Sequence, residues 1–181
     1  MGDNLRRAAE LQRGALIFGY RVRDPQRYGI VEIDAAGRPV SIVEKPAIPK
    51  SQYAVPGVYF YDSSVVDIAS GLVPSPRGEL EITDVNKAYL IRGELGVTIL
   101  GRGIAWLDAG TPEALLQAAN FVQALEERQG LKISCVEEIA YRMGYIDSAD
   151  LRRLADGAPE NGYSKYLIQV LEEETLAVPV W

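Results

Sequence analysis

The chain has 181 residues, 48% of them hydrophobic and 24% charged, with a net charge of -6. That is enough for one globular domain with a sizeable core, and the acidic balance argues against nucleic acid as a main partner, because phosphate contacts need clustered Lys and Arg. Histidine is absent and Cys135 is the single cysteine. An intrachain disulfide, a His-dependent nucleophile and any His-containing metal site are therefore excluded. Carboxylates, Lys, Arg, backbone amides or a hard cation must carry any chemistry. No apolar run approaches the roughly 18 residues of a membrane span. The start, Met1 to Arg13, is polar and helical in character without the apolar centre of a signal peptide. The expected location is the cytoplasm, with no membrane partner.

In chain order, Ala15 to Val22 is a continuous apolar run that predicts a buried strand. Tyr28 to Asp34 and Val40 to Val43 read as two arms of a hairpin around Ala36-Gly37-Arg38. Val55 to Tyr61 reads as one more β-rich run, and Ser63 to Ser70 as a short helix stopped by Gly71. Leu72 to Gly78, with two prolines, is a loop. Thr83 is a candidate N-cap for a helix over Asp84 to Ile91, closed by Gly93. Val97 to Leu100 and Ile104 to Leu107 predict strands on either side of a Gly101-Arg102-Gly103 turn. Thr111-Pro112-Glu113 then opens the longest helix, which Gly130 ends. Leu115, Ala118, Ala119, Val122 and Leu125 form its apolar stripe. Three more helices are expected over Val136 to Met143, Ser148 to Ala155 and Tyr163 to Glu173. Strands alternating with helices and followed by a helical tail predict an α/β sheet with a small helical appendage.

Five segments carry residues suited to chemistry: Arg27-Tyr28-Gly29-Ile30-Val31-Glu32, Val43-Glu44-Lys45-Pro46, Tyr53 to Tyr61, Gly78-Glu79-Leu80-Glu81-Ile82-Thr83-Asp84-Val85-Asn86, and Trp106-Leu107-Asp108-Ala109-Gly110-Thr111. Asp108 falls between an apolar run and a capped helix, the position at which α/β sheets place ligands. A carboxylate there could hold Mg²⁺ together with phosphate oxygens, or be a loop Asp that binds backbone amides. Lys45 offers a compact positive charge suited to phosphate. Beside Glu44 it could equally be half of a solvated pair. Gly29 reads as close-approach backbone, the start of a turn or an ordinary strand beginning, Val55 as an ordinary strand beginning, and Trp106 as a core aromatic.

Taken in this order, the five segments resemble the second half of the glucose-1-phosphate thymidylyltransferases, members of the nucleotide-diphospho-sugar transferase family. The resemblance runs from about Gly14 to about Leu171. It implies a Rossmann-like fold, truncated at its N-terminus, with residues 1–130 as the sugar-phosphate part and 131–181 as a helical regulatory or oligomerisation segment. It implies the reaction of dTTP with glucose 1-phosphate to give dTDP-glucose and pyrophosphate, with Mg²⁺ as cofactor. Gly29, Glu44, Lys45, Val55 and Trp106 would then make the sugar side, with Lys45 and Asp108 catalytic. Asp108 would be a metal ligand, joined by Asp3 of Gly2-Asp3-Asn4 if that triplet is a remnant of the family's metal motif.

In the tail, Gly101, Arg102, Ser134, Glu138, Ile139 and Arg142 correspond to positions at which this branch binds a regulatory nucleotide of the dTDP-rhamnose pathway. Glu138 and Arg142 are equally an i, i+4 helix pair. A homo-oligomer is expected. The family's Gly-x-Gly-Thr-Arg-Leu loop does not occur in the sequence, so these residues alone are expected to lack transferase activity. The alternative expectation is a non-catalytic module that binds a sugar phosphate or nucleotide, or that drives oligomerisation.

Overall fold

In the computed structural model, residues 2–174 are described. They form two compact units that divide between Trp106 and Leu107. The boundary falls ahead of the long helix, whereas the division that the resemblance implies, between residues 130 and 131, falls after it.

The first unit opens with helix α1 (Gly2–Ala9) and is built on a six-stranded sheet. Strand β1 (Ala15–Arg21) is its centre. Strands β2 (Gly29–Ile33) and β3 (Pro39–Glu44) form the expected hairpin. The turn is specified locally. Asp34 accepts the backbone N–H groups of Ala36 and Arg38 at 2.9 Å each, and Gly37 takes a φ of 78°, a conformation that glycine adopts at little cost.

The run Val55 to Tyr61 is not one strand. It divides into β4 (Tyr53–Ala54) and β5 (Tyr59–Tyr61), separated by Pro56-Gly57, because a proline cannot donate to a ladder. The two pieces pair with different stretches of β1: Tyr20 and Arg21 face β4, while Ala15 to Ile17 face β5. The helices α2 (Val65–Ser70) and α3 (Ile82–Ile91) follow, then β6 (Leu95–Ile99), which lies parallel to β1. Every other pairing is antiparallel.

The expected strand over Ile104 to Leu107 does not form. A strand offers two edges. β6 takes one edge of β1, while β4 and β5 share the other. The apolarity of that run serves packing instead, with Ile104 lying against Phe18, Leu100 and Ala8. The main core of this unit sits between the sheet and α3, around Ile17, Val31, Ile42, Val85 and Tyr89.

The second unit is helical. Helix α4 (Pro112–Gln129) begins at Thr111, whose hydroxyl accepts the Ala114 N–H at 3.1 Å, and ends at Gly130 with φ 69°. Both ends match the sequence expectation. Its apolar stripe, however, contains no buried residue, and Leu115 is 57% exposed. Helices α5 (Val136–Arg142), α6 (Ser148–Gly157) and α7 (Gly162–Glu174) enclose a separate core of Cys135, Leu151, Ala155, Tyr166, Leu167 and Val170. The start of α6 is fixed by a reciprocal Asp147–Asp150 capping box. Among the described residues, no helix is long and apolar enough to cross a membrane.

Candidate sugar-phosphate site

Four of the residues singled out from the sequence meet through the β ladder. Gly29 lies opposite Glu44 in the β2–β3 register. The Lys45 N–H donates to the Tyr28 carbonyl at 3.0 Å, and the Val55 N–H donates to the Gly29 carbonyl at 2.9 Å. Gly29, Glu44, Lys45 and Val55 thus converge from three separate stretches of chain.

The Glu44 carboxylate is held in place. Its Oε2 accepts the hydroxyl of Thr83 from the first turn of α3 at 2.5 Å, and its Oε1 lies 4.0 Å from the Arg77 guanidinium. Thr83 is buried and is not the helix cap, since Glu81 occupies that position. Its hydroxyl is turned to Glu44 instead. A Cβ on Gly29 would stand 2.9 Å from Glu44 Oε2 and 3.0 Å from Thr83 Oγ1. This glycine therefore lets β2 lie directly against the Glu44–Thr83 pair. Arg77, carried on the loop before α3, also pairs with Glu79 at 2.8 Å and Glu81 at 3.3 Å.

Lys45 has a φ of 41°, which is unusual for a side-chain-bearing residue and more so before a proline. Backbone strain of this kind costs about 1–3 kcal/mol and clusters at functional positions. It turns the chain out of β3 at Lys45. Trp106 packs edge-on against Tyr28 and Tyr20, with ring centroids 5.1 and 5.7 Å apart. It thus buttresses the residue that precedes Gly29. Tyr59 lies within electrostatic reach of Glu44. Burial, and then the Glu44 charge, push its hydroxyl above the usual tyrosine range.

Asp108 does not stand at a strand end, since residues 104–107 are irregular. Its Oδ1 accepts the Gly110 N–H at 3.0 Å, one of the two arrangements the sequence allows. Asp3 falls in α1, and its side chain lies outside the described residues. Among the described residues, no group of three or more Cys, Asp or Glu side chains is arranged to hold a metal ion.

In the helical unit, Glu138 and Arg142 form the i, i+4 pair, with Arg142 Nε at 2.8 Å from Glu138 Oε1. Glu138 is buried and also accepts the Tyr166 hydroxyl. Burial and that carboxylate push the Tyr166 hydroxyl up to about 12. Ile139 is half exposed on the same helix, and Ser134 has a φ of 59° just ahead of it. Gly101 and Arg102 are exposed in the turn after β6, in the first unit.

Sequence reasoning missed Thr83 and Arg77 as neighbours of Glu44. Thr83 had been read as a cap, and the capping signature and a buried hydroxyl donor look alike in sequence. Arg77 was simply a loop charge.

Known proteins resemble this chain in sequence and in fold. The nucleotidyl transferase family pattern covers residues 1–124, and the chain belongs to that family. More narrowly, it is 50% identical over its whole length to a glucose-1-phosphate thymidylyltransferase of Actinoplanes sp., covering 63% of that protein. It is 53% identical to the one from Xanthomonas campestris pv. campestris over 91% of the chain and 56% of the relative. The Mycobacterium tuberculosis enzyme of that name is 52% identical over 95% of the chain and 59% of the relative. Among solved structures, a Bacillus anthracis protein assigned as a glucose-1-phosphate thymidylyltransferase, in complex with a sucrose, superposes with a TM-score of 0.58. It is 40% identical, over 66% of this chain and 47% of that one. The chain spans about three-fifths of the length of these curated relatives.

Proposed function

We propose that these residues form the sugar-phosphate side of a nucleotidylyltransferase that joins dTTP and glucose 1-phosphate into dTDP-glucose, releasing pyrophosphate. The observation that carries this reading is the convergence of Gly29, Glu44, Lys45 and Val55 on one ladder, with Thr83 orienting the carboxylate. Glu44 then accepts hydrogen bonds from hexose hydroxyls, the backbone at Gly29 and Val55 lines the ring, and Lys45 neutralises the 1-phosphate. In the reaction a phosphate oxygen of the sugar attacks the α-phosphorus of the nucleotide in line and pyrophosphate departs, with no covalent enzyme intermediate. The protein's share is positioning and charge stabilisation.

Mg²⁺ fits the hard oxygen donors present, because this ion is held by one or two carboxylates with phosphate oxygens completing its shell. Asp108 is the proposed protein ligand, with Asp3 as a second. When bound, the ion would neutralise phosphate charge. The domain roles follow the same reading: residues 1–130 serve the sugar phosphate and 131–181 regulation or assembly. Gly101, Arg102, Ser134, Glu138, Ile139 and Arg142 are assigned to a regulatory nucleotide, the whole working in the cytoplasm as a homo-oligomer.

Calorimetric titration of this polypeptide with glucose 1-phosphate tests the proposal. Saturable binding, weakened at least tenfold in Glu44→Ala and Lys45→Ala, is expected. Equal binding by both variants and the unsubstituted chain would sink it. Since the sequence holds no Gly-x-Gly-Thr-Arg-Leu stretch, the 181 residues alone are expected to form no dTDP-glucose. The second reading is a non-catalytic nucleotide-binding module. Binding of dTDP-rhamnose without any binding of glucose 1-phosphate would select it.

A further inference from the structure

We propose that Asn86 is a positioning residue for the sugar-phosphate site, tying α3 to β5 through the Tyr61 hydroxyl and so fixing the helix turn whose Thr83 holds Glu44. This inference rests on the reading of that site given above. Tyr59 and Tyr61 are two residues apart on β5, so they share a face of the sheet. Their rings stack at 5.9 Å and 12°, and Tyr61 stacks in turn on Tyr89 of α3 at 5.5 Å and 18°. The result is a ladder of three rings that joins β5 to the α3 core.

Two of the three hydroxyls are tied down. Tyr89 donates to Asp62 at 2.8 Å, and Tyr61 donates to Asn86 Oδ1 at 2.6 Å. The Tyr59 hydroxyl, at the other end of the ladder, has no hydrogen-bond partner among the described residues. Its orientation therefore depends on the ring beneath it, and that ring is pinned at its far end by Asn86.

Asn86 is hard to account for as a stabilising residue. It is 1% exposed in the middle of α3, and its Nδ2 is a buried donor without a partner among the described residues. Asn competes with the backbone in helix interiors, and a buried unpaired donor carries its full desolvation cost. A leucine of similar size would fill the space without that cost. What only a polar residue supplies there is the acceptor for Tyr61. One turn earlier on the same face, Thr83 holds Glu44. Helix α3 thus holds both the Glu44 carboxylate and the tyrosine ladder, through residues one turn apart.

The test compares glucose 1-phosphate affinity by calorimetry with thermal midpoint in Asn86→Leu, Tyr61→Phe and the double variant, with Glu44→Ala as control. Both single variants are expected to bind about fivefold more weakly, in line with the loss of one hydrogen bond. The double variant should bind no more weakly than either. Asn86→Leu should melt no lower than the unsubstituted chain, and a purely structural role would not separate these readouts. Unchanged affinity in the single variants, with Glu44→Ala binding abolished, overturns this inference alone. No binding by the unsubstituted chain removes the site reading and this inference with it. If Asn86→Leu fails to fold, Tyr61→Phe, which keeps the ring and its stack, decides the matter.

Discussion

The candidate sugar-phosphate site and the helical unit are held by opposite kinds of interaction. In the first, residues as far apart in sequence as Gly29, Glu44, Val55 and Thr83 are brought together by strand register and one buried hydroxyl. In the second, the features that can be read as functional, such as Glu138 with Arg142, are neighbours on one helix turn, and the ends of α4 and α6 are set by their own caps. A site made by register can be lost through one distant packing change. A site made by helix spacing survives as long as its helix does.

The largest test of this contrast is core truncation. Phe18→Ala, at a fully buried position of the first unit, is expected to cost about 3–5 kcal/mol and to abolish glucose 1-phosphate binding. Leu151→Ala, in the separate helical core, should cost about 2–5 kcal/mol but leave that binding intact. Calorimetric melting alongside titration checks both. Equal loss of binding in the two variants would erase the contrast.

Next in size is Thr83→Val. It removes the hydroxyl that Glu44 accepts and leaves a partly buried carboxylate one donor short, at about 1–3 kcal/mol. The affinity loss should match that of Glu44→Gln to within a few-fold, read by the same titration.

Acid sensitivity comes third. Asp62 sits where β1, β5 and α3 meet. Hydrogen bonds from the Ser64 hydroxyl, the Gly14 N–H and the Tyr89 hydroxyl hold its carboxyl well below the usual range. A depressed folded-state pKa adds stability that is complete above the unfolded value near 3.8 and is lost as pH falls below it. The first unit's thermal midpoint should therefore drop between pH 4 and pH 2.5, a dependence that Asp62→Asn should flatten.

The smallest effect is expected in the helical unit. Thr111→Ala removes the α4 cap and should cost about 1 kcal/mol, with unchanged glucose 1-phosphate affinity. A denaturation curve suffices to measure it.

Much of this arrangement could be read directly from the chain. Asp34 and Gly37 specify the β2–β3 turn, Thr111 and Gly130 bound α4, and Asp147 starts α6, because each acts on backbone within a few residues of itself. The segments around Glu44, Thr83 and Asp108 were enough to indicate the family. The apolar run at Ile104 misled, since strand-like composition records a preference for burial and not the availability of a pairing edge. Val55 to Tyr61 misled for a related reason: Pro56 breaks the ladder, and the two halves find different parts of β1.

What the sequence by itself determined is the local chemistry: which residues turn, cap and carry charge, and the motifs that mark the family. Tertiary structure alone decided that the Thr83 hydroxyl serves Glu44 and not a helix end, and that Lys45 takes a left-handed turn. It also decided that Arg77 stands beside the same carboxylate. Those outcomes depend on strand register and on the packing of α3 against the sheet. Both are settled by the summed burial of many residues, and no single stretch of chain encodes them.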